Sequence, residues 1–447
     1  MNGRIIRIIL GLVVLVGAAV FAWLFLTPGP TAFAKGKTVA PAEYAGADPT
    51  GVPASLRDAS LVERGQYLAR AADCEACHTA PGGQPFAGGL GFQMPFGTIY
   101  STNITPDAET GIGHYTDAQF VAMMRHGIRP DGKRLYPAMP YTSYGLLSDD
   151  DMLAIKAYLT SLAPVAAMVP ETKLSFPYNQ RWLMGIWSWM FNPGEQFRPN
   201  PGQSPEWNRG AYLAEAAAHC GECHTPRNLA FALDNRNKFA GATNAGWRAF
   251  NISASKDRGI GGWTDESLAS YLSTGFADGH GVATGPMGEA VDLGLRHLAP
   301  EDIAALVTYL RSVPASKGSD PERLRQPAAA SYKVGRAENA DRLGEKVFAG
   351  ACAACHDWTG VSELTSQATL TGLGSVNDPS AGNVAQVVLW GVHRAAPEDV
   401  LLMPEFGSSY SNQEIAAVSN YVTGRFGAKG STLTEADVAA MRAAGRH

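Results

Sequence analysis

The feature that most constrains this chain is a five-residue pattern that occurs three times and uses all six cysteines. Each copy reads Cys-x-x-Cys-His. Two thiols at this spacing match the two vinyl groups of a haem, and a histidine directly after the second thiol is placed under the iron as a proximal ligand. The pattern predicts three covalent haem c groups, attached through Cys74 and Cys77, Cys220 and Cys223, and Cys352 and Cys355, with His78, His224 and His356 on the iron.

Other uses of the same cysteines explain less of the pattern. A structural zinc site needs a second pair of ligands for each Cys-x-x-Cys, and a thioredoxin-like redox pair needs a surrounding strand and helix. Disulfide bonds within each pair would leave the three histidines without a role. These alternatives stay open, but haem attachment accounts for every copy.

The sequence around each attachment segment also repeats. A short predicted helix with a glycine precedes each copy, and a longer predicted helix with a tyrosine follows it. Start signals for the later helices are Ser148, Pro300 and Ser411, the last with Glu414 in a capping-box pattern. We expect the two helices of each repeat to cross closely, with core tyrosines facing the glycines in the pairs Gly65 and Tyr158, Gly210 and Tyr309, and Gly344 and Tyr421.

One methionine beside a proline lies before the last helix of each repeat. An iron with one histidine needs a second axial ligand to act as an electron carrier, and a thioether held by a stiff loop is suited to this role. The sequence therefore predicts Met139, Met287 and Met403 as the sixth ligands. Earlier methionines are interpreted as gap-fillers, namely Met94, Met123 and Met124. The alternative ligands are the remaining histidines, which are His114, His126, His219, His280, His297 and His393.

The composition of the 447 residues is that of a globular protein, with 45% hydrophobic and 17% charged residues. At roughly 150 residues per domain, this length suggests about three domains. The net charge of −5 provides no broad positive field, which argues against nucleic-acid binding. The sequence carries no dinucleotide-binding glycine motif, carboxylate metal set or nucleophile pattern, so we expect no catalytic residues and place substrate oxidation in another chain.

The N-terminus has the character of an export or anchor segment. Arg4 and Arg7 precede nineteen uncharged, mostly apolar residues at 8–26, which is long enough for a transmembrane helix. Small residues at Ala32 and Ala34 leave cleavage after Ala34 open. Either interpretation places the rest of the chain on the periplasmic face of the cytoplasmic membrane, and the length of the segment favours a retained anchor.

We therefore predict an all-α fold of three tandem cytochrome c domains with few or no strands. The predicted segments are an anchor or signal at 1–34, domains at 50–164, 209–314 and 342–427, an aromatic-rich connector at 165–208, a polar linker at 315–341 and a tail at 428–447. The connector holds four tryptophans, for which packing between domains, contact with a partner subunit, and contact with the membrane or a quinone all stay open. We call the three predicted domains the first, second and third units.

The first two units resemble the trihaem cytochrome c subunits of membrane-bound periplasmic dehydrogenases of acetic acid bacteria. That family serves quinoprotein alcohol dehydrogenases, flavin-dependent gluconate and polyol dehydrogenases, and molybdenum aldehyde dehydrogenases. The resemblance rests on 96–106 (FGTIYSTNITP), 111–113 (GIG), 135–141 (LYPAMPY), 250–252 (FNI) and 259–263 (GIGGW). The third unit is shorter and resembles the family through Cys352, Cys355, His356 and Met403.

The resemblance implies a non-catalytic subunit that takes electrons from a dehydrogenase subunit of the molybdopterin, PQQ or flavin type and passes them to ubiquinone. The long apolar segment departs from the cleavable signal usual in the family and favours the anchored cytochromes that accompany molybdenum aldehyde dehydrogenases. Two other classes stay open: a free-standing haem enzyme such as a peroxidase, and a cytochrome that feeds a terminal oxidase.

Overall fold

A computed structural model describes residues 3–25, 27–318, 342–395 and 400–445 of the chain. Most of the predicted linker at 315–341 lies outside these ranges. The described residues form eighteen α-helices and nine short strands.

The N-terminal part of the described chain holds seven of these helices and three strands. The helices are α1 (Gly3–Phe25), α2 (Leu61–Ala71), α3 (Cys74–Cys77), α4 (Asp117–His126), α5 (Tyr141–Tyr144), α6 (Asp149–Ser161) and α7 (Leu183–Phe191). The strands are β1 (Gly91–Met94), β2 (Gly97–Tyr100) and β3 (Lys173–Leu174). They form one antiparallel sheet in which Gly97 is opposite both Met94 and Leu174, so the predicted connector adds a strand to the first unit.

The second unit follows the same plan. Its helices are α8 (Pro205–Tyr212), α9 (Gly221–His224), α10 (Asp265–Thr274), α11 (Gly285–Glu289) and α12 (Pro300–Ser312). Its strands pair as two hairpins, β4 (Ala242–Asn244) with β5 (Trp247–Ala249) and β6 (Phe276–Ala277) with β7 (Gly281–Val282). Helix α8 begins inside the predicted connector.

The described part of the third unit contains six helices and one hairpin. Its helices are α13 (Arg342–Val347), α14 (Ala353–His356), α15 (Gly374–Asn377), α16 (Gly382–Trp390), α17 (Asn412–Phe426) and α18 (Glu435–Ala444). Its strands, β8 (Val392–Ala395) and β9 (Val400–Met403), pair antiparallel. Helix α18 lies in the predicted tail, where Val438 is fully buried and Arg442 donates to the backbone oxygen of Tyr410 at 3.1 Å. The tail is therefore part of the third unit.

The helix starts follow the capping signals in the sequence. The hydroxyl of Ser148 accepts from the amide of Asp151 at 3.1 Å, and Pro300 is the first residue of α12. Ser411 and Glu414 form the reciprocal bonds of a capping box, at 2.8 and 3.2 Å. Each side chain satisfies amide groups that a helix end leaves without an internal partner.

The predicted crossing of two helices occurs in all three units. A Cβ atom added at Gly65 would overlap the backbone oxygen of Ala154 on α6 and lie 2.9 Å from Cβ of Tyr158. A Cβ atom added at Gly210 would lie 2.9 Å from Cβ of Tyr309, and one added at Gly344 would lie 2.8 Å from Cβ of Tyr421. Glycine is needed because any side chain would push the two helices apart.

The first and second units share one hydrophobic core, whereas the third unit has a core of its own. Two matching hydrogen bonds join the first pair of units. Tyr67 on α2 donates to Asp302 on α12 at 2.6 Å, and Tyr212 on α8 donates to Asp151 on α6 at 2.5 Å. The first two units therefore form a pseudosymmetric pair to which the third unit is added.

The structure corrects the expectation of an all-α chain with few or no strands. The described residues contain four small antiparallel sheets, of two or three strands each. Their strands have only two to four residues, which is too short for the alternation of apolar and polar residues that reveals a strand in a sequence.

The structure also corrects the expectation of an N-terminal transmembrane helix. The apolar segment does form helix α1. Among the described residues, however, no helix combines the length and the apolar character needed to cross a bilayer.

The tryptophans of the connector divide into two groups. Trp207 is buried, and the indole of Trp187 donates to the backbone oxygen of Ala230 at 2.7 Å, so both pack within the protein. Trp182 and Trp189 are 65% and 83% exposed. Contact of these two with a partner subunit, the membrane or a quinone stays a prediction.

Candidate haem-attachment sites

Each Cys-x-x-Cys-His segment forms a single helical turn after a longer helix. The turns are α3, α9 and α14. A break precedes two of them, because Asp73 and His219 adopt left-handed backbone angles (φ 51° and 36°) directly before Cys74 and Cys220. The first turn holds both of its cysteines, whereas Cys220 and Cys352 directly precede the turns that contain the second cysteine and the histidine. The thiols and the histidine of each segment therefore lie within or next to one helical turn, as covalent haem attachment needs.

The three proximal histidines are oriented in the same way. In each ring, Nδ1 donates to a backbone oxygen. The acceptor is Thr102 for His78 at 2.6 Å, Phe250 for His224 at 2.7 Å, and Ala368 for His356 at 2.6 Å. A carbonyl oxygen only accepts, so Nδ1 carries the proton in each ring and Nε2 keeps the lone pair that can bind iron. A second bond of this kind fixes both the tautomer and the ring orientation of a metal ligand. All three sites therefore fit an axially ligated haem.

These carbonyl groups were missed in the sequence, although a signal for two of them is present. Thr102 and Phe250 directly precede the repeated Asn-Ile pairs at 103–104 and 251–252. The side-chain oxygen of Asn103 accepts from the amide of Thr105 at 2.9 Å, and that of Asn251 from Ser253 at 2.8 Å. The asparagines thus shape the turn that presents each carbonyl group.

The thiols differ in exposure, since Cys74 is buried whereas Cys223 and Cys355 are exposed. Burial raises the pKa of the Cys74 and Cys220 thiols to about 12 and that of the Cys352 thiol to about 11. Among the described residues, no three histidine, cysteine or acidic side chains converge in a way that could hold a metal ion.

Burial also lowers the pKa of His78 and His356, while their backbone hydrogen bonds oppose this effect. The neutral imidazole that results is the form that binds iron.

The three methionines predicted as sixth ligands lie in partly buried positions. Met139 and Met287 pack against the shared core of the first two units, and Met403 packs against the core of the third. Met139 is held in a tight turn, since its amide donates to Tyr136 at 3.2 Å and its carbonyl accepts from Tyr141 at 2.7 Å. Met287 lies in α11, and Met403 ends β9 opposite Val392. Their ligand role stays a prediction.

The rival ligands have other surroundings. Met123 and Met124 are buried in the core, and Met94 ends β1. The ring of His280 stacks on Trp263 at 3.8 Å between centroids, and His297 contacts the backbone oxygen of Asp292 at 3.2 Å. The three remaining histidines of the first and third units are exposed, namely His114, His126 and His393.

Tyr144 links the residues that precede the first and second attachment segments. The ring of His219 contacts that of Tyr144 edge-on at 5.3 Å, and the Tyr144 hydroxyl donates to the backbone oxygen of Ala72 at 2.6 Å. The two attachment segments are therefore close neighbours across the interface.

Asp73 directly precedes the first attachment segment. Burial, with a smaller contribution from Glu289 and Glu75, raises the pKa of the Asp73 carboxyl group to about 7.

A buried ion pair lies beside the second attachment segment. Nζ of Lys238 and Oε2 of Glu215 are 2.5 Å apart, and the hydroxyl of Tyr309 donates to Oε1 of Glu215 at 2.6 Å. Tyr309 is fully buried, so it is both a core residue and a hydrogen-bond donor. Glu215 stands where the first unit has Arg70, which makes this pair specific to the second unit.

Two family models match the chain. The model described as "Cytochrome c" matches residues 62–163, and the model described as "Cytochrome C oxidase, cbb3-type, subunit III" matches residues 339–422. These matches lie in the first and third units. They correct the expectation of three tandem cytochrome c domains, because the models identify two.

Three curated relatives match over most of their length. The fructose dehydrogenase cytochrome subunit of Gluconobacter japonicus is 40% identical over 417 residues, covering 88% of this chain and 85% of the relative. The gluconate 2-dehydrogenase cytochrome c subunit of Pantoea cypripedii is 40% identical over 405 residues, covering 86% of this chain and 90% of the relative. The cytochrome c subunit of the quinone alcohol dehydrogenase of Komagataeibacter europaeus is 38% identical over 407 residues, covering 87% and 85%.

The resemblance to dehydrogenase cytochromes that the sequence motifs indicate is confirmed by these relatives. With cysteine pairs on helical turns, oriented histidines and this level of identity along nearly its whole length, the chain belongs to the family of cytochrome c subunits of dehydrogenase complexes.

Proposed function

We propose that this protein is an electron relay with one haem c at each of its three Cys-x-x-Cys-His segments. The observation that carries the proposal is the shared orientation of His78, His224 and His356, each held through Nδ1 by a backbone carbonyl group. Haem, when bound, supplies one-electron chemistry at its iron. Met139, Met287 and Met403 are the sixth ligands in this proposal.

The residues of the chain have a limited set of tasks in such a relay. The cysteines hold each haem, and the carbonyl groups orient the histidines. Methionine ligands favour the reduced iron and make the site rigid, which suits electron transfer rather than substrate binding. No catalytic residue is assigned to this chain, and substrate is oxidised in a separate dehydrogenase subunit.

The proposed partners are that dehydrogenase subunit, of the molybdopterin, PQQ or flavin type, and ubiquinone. The names of the relatives support a dehydrogenase partner, and the quinone in the name of the alcohol dehydrogenase supports a quinone acceptor. We place the relay on the periplasmic face of the cytoplasmic membrane, since the N-terminal arginines and apolar segment have the character of an export signal.

The haem count is tested by mass and by haem absorbance per chain in the protein purified with its natural haem. We expect three haems, and we expect Cys74→Ala/Cys77→Ala, or the same change in either other pair, to remove one. A wild-type chain with two haems would contradict the proposal.

The partner is tested by purifying the native protein from solubilised membranes, without overproduction, and identifying the chains that accompany it. Ethanol, acetaldehyde, gluconate and fructose are then assayed with a ubiquinone analogue as acceptor. Reduction of the haems by one substrate, together with a co-purifying dehydrogenase chain, is the expected result. A solitary chain that none of these substrates reduces would oppose the subunit proposal.

A second candidate, a cytochrome that feeds a terminal oxidase, is favoured by one observation. The third unit matches a model for a subunit of cbb3-type cytochrome c oxidase. If this candidate is correct, the reduced protein will be oxidised by a haem–copper oxidase faster than by the ubiquinone analogue, and an oxidase will co-purify.

A further inference from the structure

One arginine of the third unit is buried in the second. Arg394 lies on β8, and its side chain is only 8% exposed. Its guanidinium donates to the backbone oxygens of Thr274 and Gly275, both at 3.1 Å, and to the carboxylate of Asp292 at 2.7 and 3.1 Å. A buried guanidinium with this many acceptors is held in one orientation.

The contacts of Arg394 enclose the segment that holds Met287. Its guanidinium reaches the backbone oxygen of Ala283, four residues before the methionine, at 3.5 Å. A Cβ atom at Gly288, the next residue, would lie 3.6 Å from Cδ of Arg394. Asp292 lies five residues after Met287, in the helical stretch Ala290–Gly294 that continues α11. The Met287 segment is therefore supported on both sides by a residue of another unit.

Arg394 also lies in the same hairpin as Met403, the ligand predicted for the third haem. In the β8–β9 hairpin, Val392 is opposite Met403 and Arg394 is opposite Leu401. The hairpin that carries Met403 thus also supplies the side chain that supports Met287.

We propose that Arg394 is a positioning residue for the second haem. It holds the Met287 segment from the third unit, so that methionine ligation in the second unit depends on docking of the third. The inference rests on the proposed function, because it takes Met287 and Met403 as iron ligands. The salt bridge between Arg394 and Asp292 thereby affects the ligation and the potential of the second haem.

The test uses the full chain with its haems and compares Arg394→Met, Arg394→Lys and Met287→Ala. The readouts are the methionine-to-iron charge-transfer absorption of the oxidised protein, binding of carbon monoxide to the reduced protein, and the potential of the second haem. We expect Arg394→Met to lower the ratio of ligated to unligated iron about tenfold, which corresponds to about 1.4 kcal/mol. Carbon monoxide binding should rise, and the potential should fall because a thioether ligand raises it.

The lysine variant separates charge from geometry. Lysine keeps the positive charge near Asp292 but cannot bond all of these acceptors at once, so we expect an intermediate loss. The double variant Arg394→Met/Met287→Ala should lose no more absorption than Met287→Ala alone.

Asn383→Ala is the matched control. Asn383 is also a residue of the third unit that bonds the second, at 2.8 and 2.9 Å to the backbone of Arg248, but it does not touch the Met287 segment. We expect this variant to lose one contact between the units, to leave Arg394 in place and to keep the full absorption. A haem content of three in each variant shows that the chain has folded.

Two results would overturn the inference, and they have different meanings. Full methionine absorption in Arg394→Met, together with its partial loss in Met287→Ala, would reject the role of Arg394 alone. Full absorption in Met287→Ala would reject the proposed ligand itself, and the inference with it.

Discussion

The hydroxyl of Tyr212 donates a 2.5 Å hydrogen bond to the carboxylate of Asp151, across the interface between the first two units. The Tyr67 hydroxyl donates the equivalent hydrogen bond to the carboxylate of Asp302. Asp302 also accepts two hydrogen bonds from Arg209, at 2.6 and 2.8 Å. Among the described residues, the one other donor to this oxygen of Asp151 is the amide of Gly51. The two interface carboxylates therefore differ in how much they depend on their tyrosines.

Removing the Tyr212 hydroxyl should destabilise the protein more than removing its counterpart. We expect Tyr212→Phe to lower the free energy of unfolding by about 1–3 kcal/mol, because it leaves a buried carboxylate short of a donor. Tyr67→Phe should cost less, since Arg209 still pairs with Asp302. Denaturant unfolding of the two variants checks the order, and an equal or reversed order would contradict it.

A side chain at the helix crossing should disrupt a unit. Gly210→Ala places a Cβ against the backbone oxygen of Ala305, and overpacking of this kind costs about 1–3 kcal/mol. We expect a lower melting temperature and less haem incorporated at Cys220 and Cys223. Gly350→Ala is the control, because a Cβ there meets nothing within 4 Å. Equal melting temperatures for the two variants would argue against a close crossing.

The buried carboxyl group of Asp73 predicts a pH dependence. Burial raises its pKa to about 7 from an ordinary value of 3.8, so between these values the folded protein binds more protons than the unfolded chain. Stability contributed by this group is therefore present at low pH and lost as pH rises towards 7. We expect Asp73→Asn to be more stable than the native protein at pH 8 and to lose this advantage near pH 4.

Asp107 provides a control of opposite sign. Hydrogen bonds from Thr110 lower its pKa, so it stabilises the protein above its ordinary pKa and loses this effect as pH falls. Asp107→Asn should be less stable than the native protein near neutral pH. Thermal unfolding of both variants across the pH range measures the two trends, and trends of the same sign would be inconsistent with these environments.

Removing only one member of the ion pair between Lys238 and Glu215 should lower the free energy of unfolding strongly. Lys238→Met leaves a buried carboxylate without its cation, which typically costs about 3–5 kcal/mol. Lys238→Met/Glu215→Gln should recover part of this loss, because the amide oxygen of glutamine can still accept from Tyr309. Unfolding experiments on the single and double variants test this. A double variant less stable than Lys238→Met would show that the pair itself, and not the unpaired charge, dominates.

Several features could be predicted from the sequence because they depend on local chemistry. The haem-attachment turns need only two cysteines and a histidine at a fixed spacing. The helix starts at Ser148 and Ser411 depend on bonds that span three residues. The pairs of glycine and tyrosine could be predicted because the same two helices recur in each unit.

The small sheets and the carbonyl groups that orient the histidines could not be predicted in this way. Strands of two residues leave no periodic pattern, and Thr102 lies 24 residues from the histidine that it orients. A backbone oxygen is present at every residue, so nothing in its identity marks it as a partner for a ring nitrogen.

By itself, the sequence determined the number and chemistry of the attachment segments and the helices that flank them. Only the tertiary structure decided how the units are joined: a shared core and paired tyrosines for the first two, and Arg394 with Asp292, 102 residues apart, for the third. The physical reason is that attachment chemistry depends on neighbours in the chain. Burial of a charge depends on which distant surface covers it, and that is settled when the units pack.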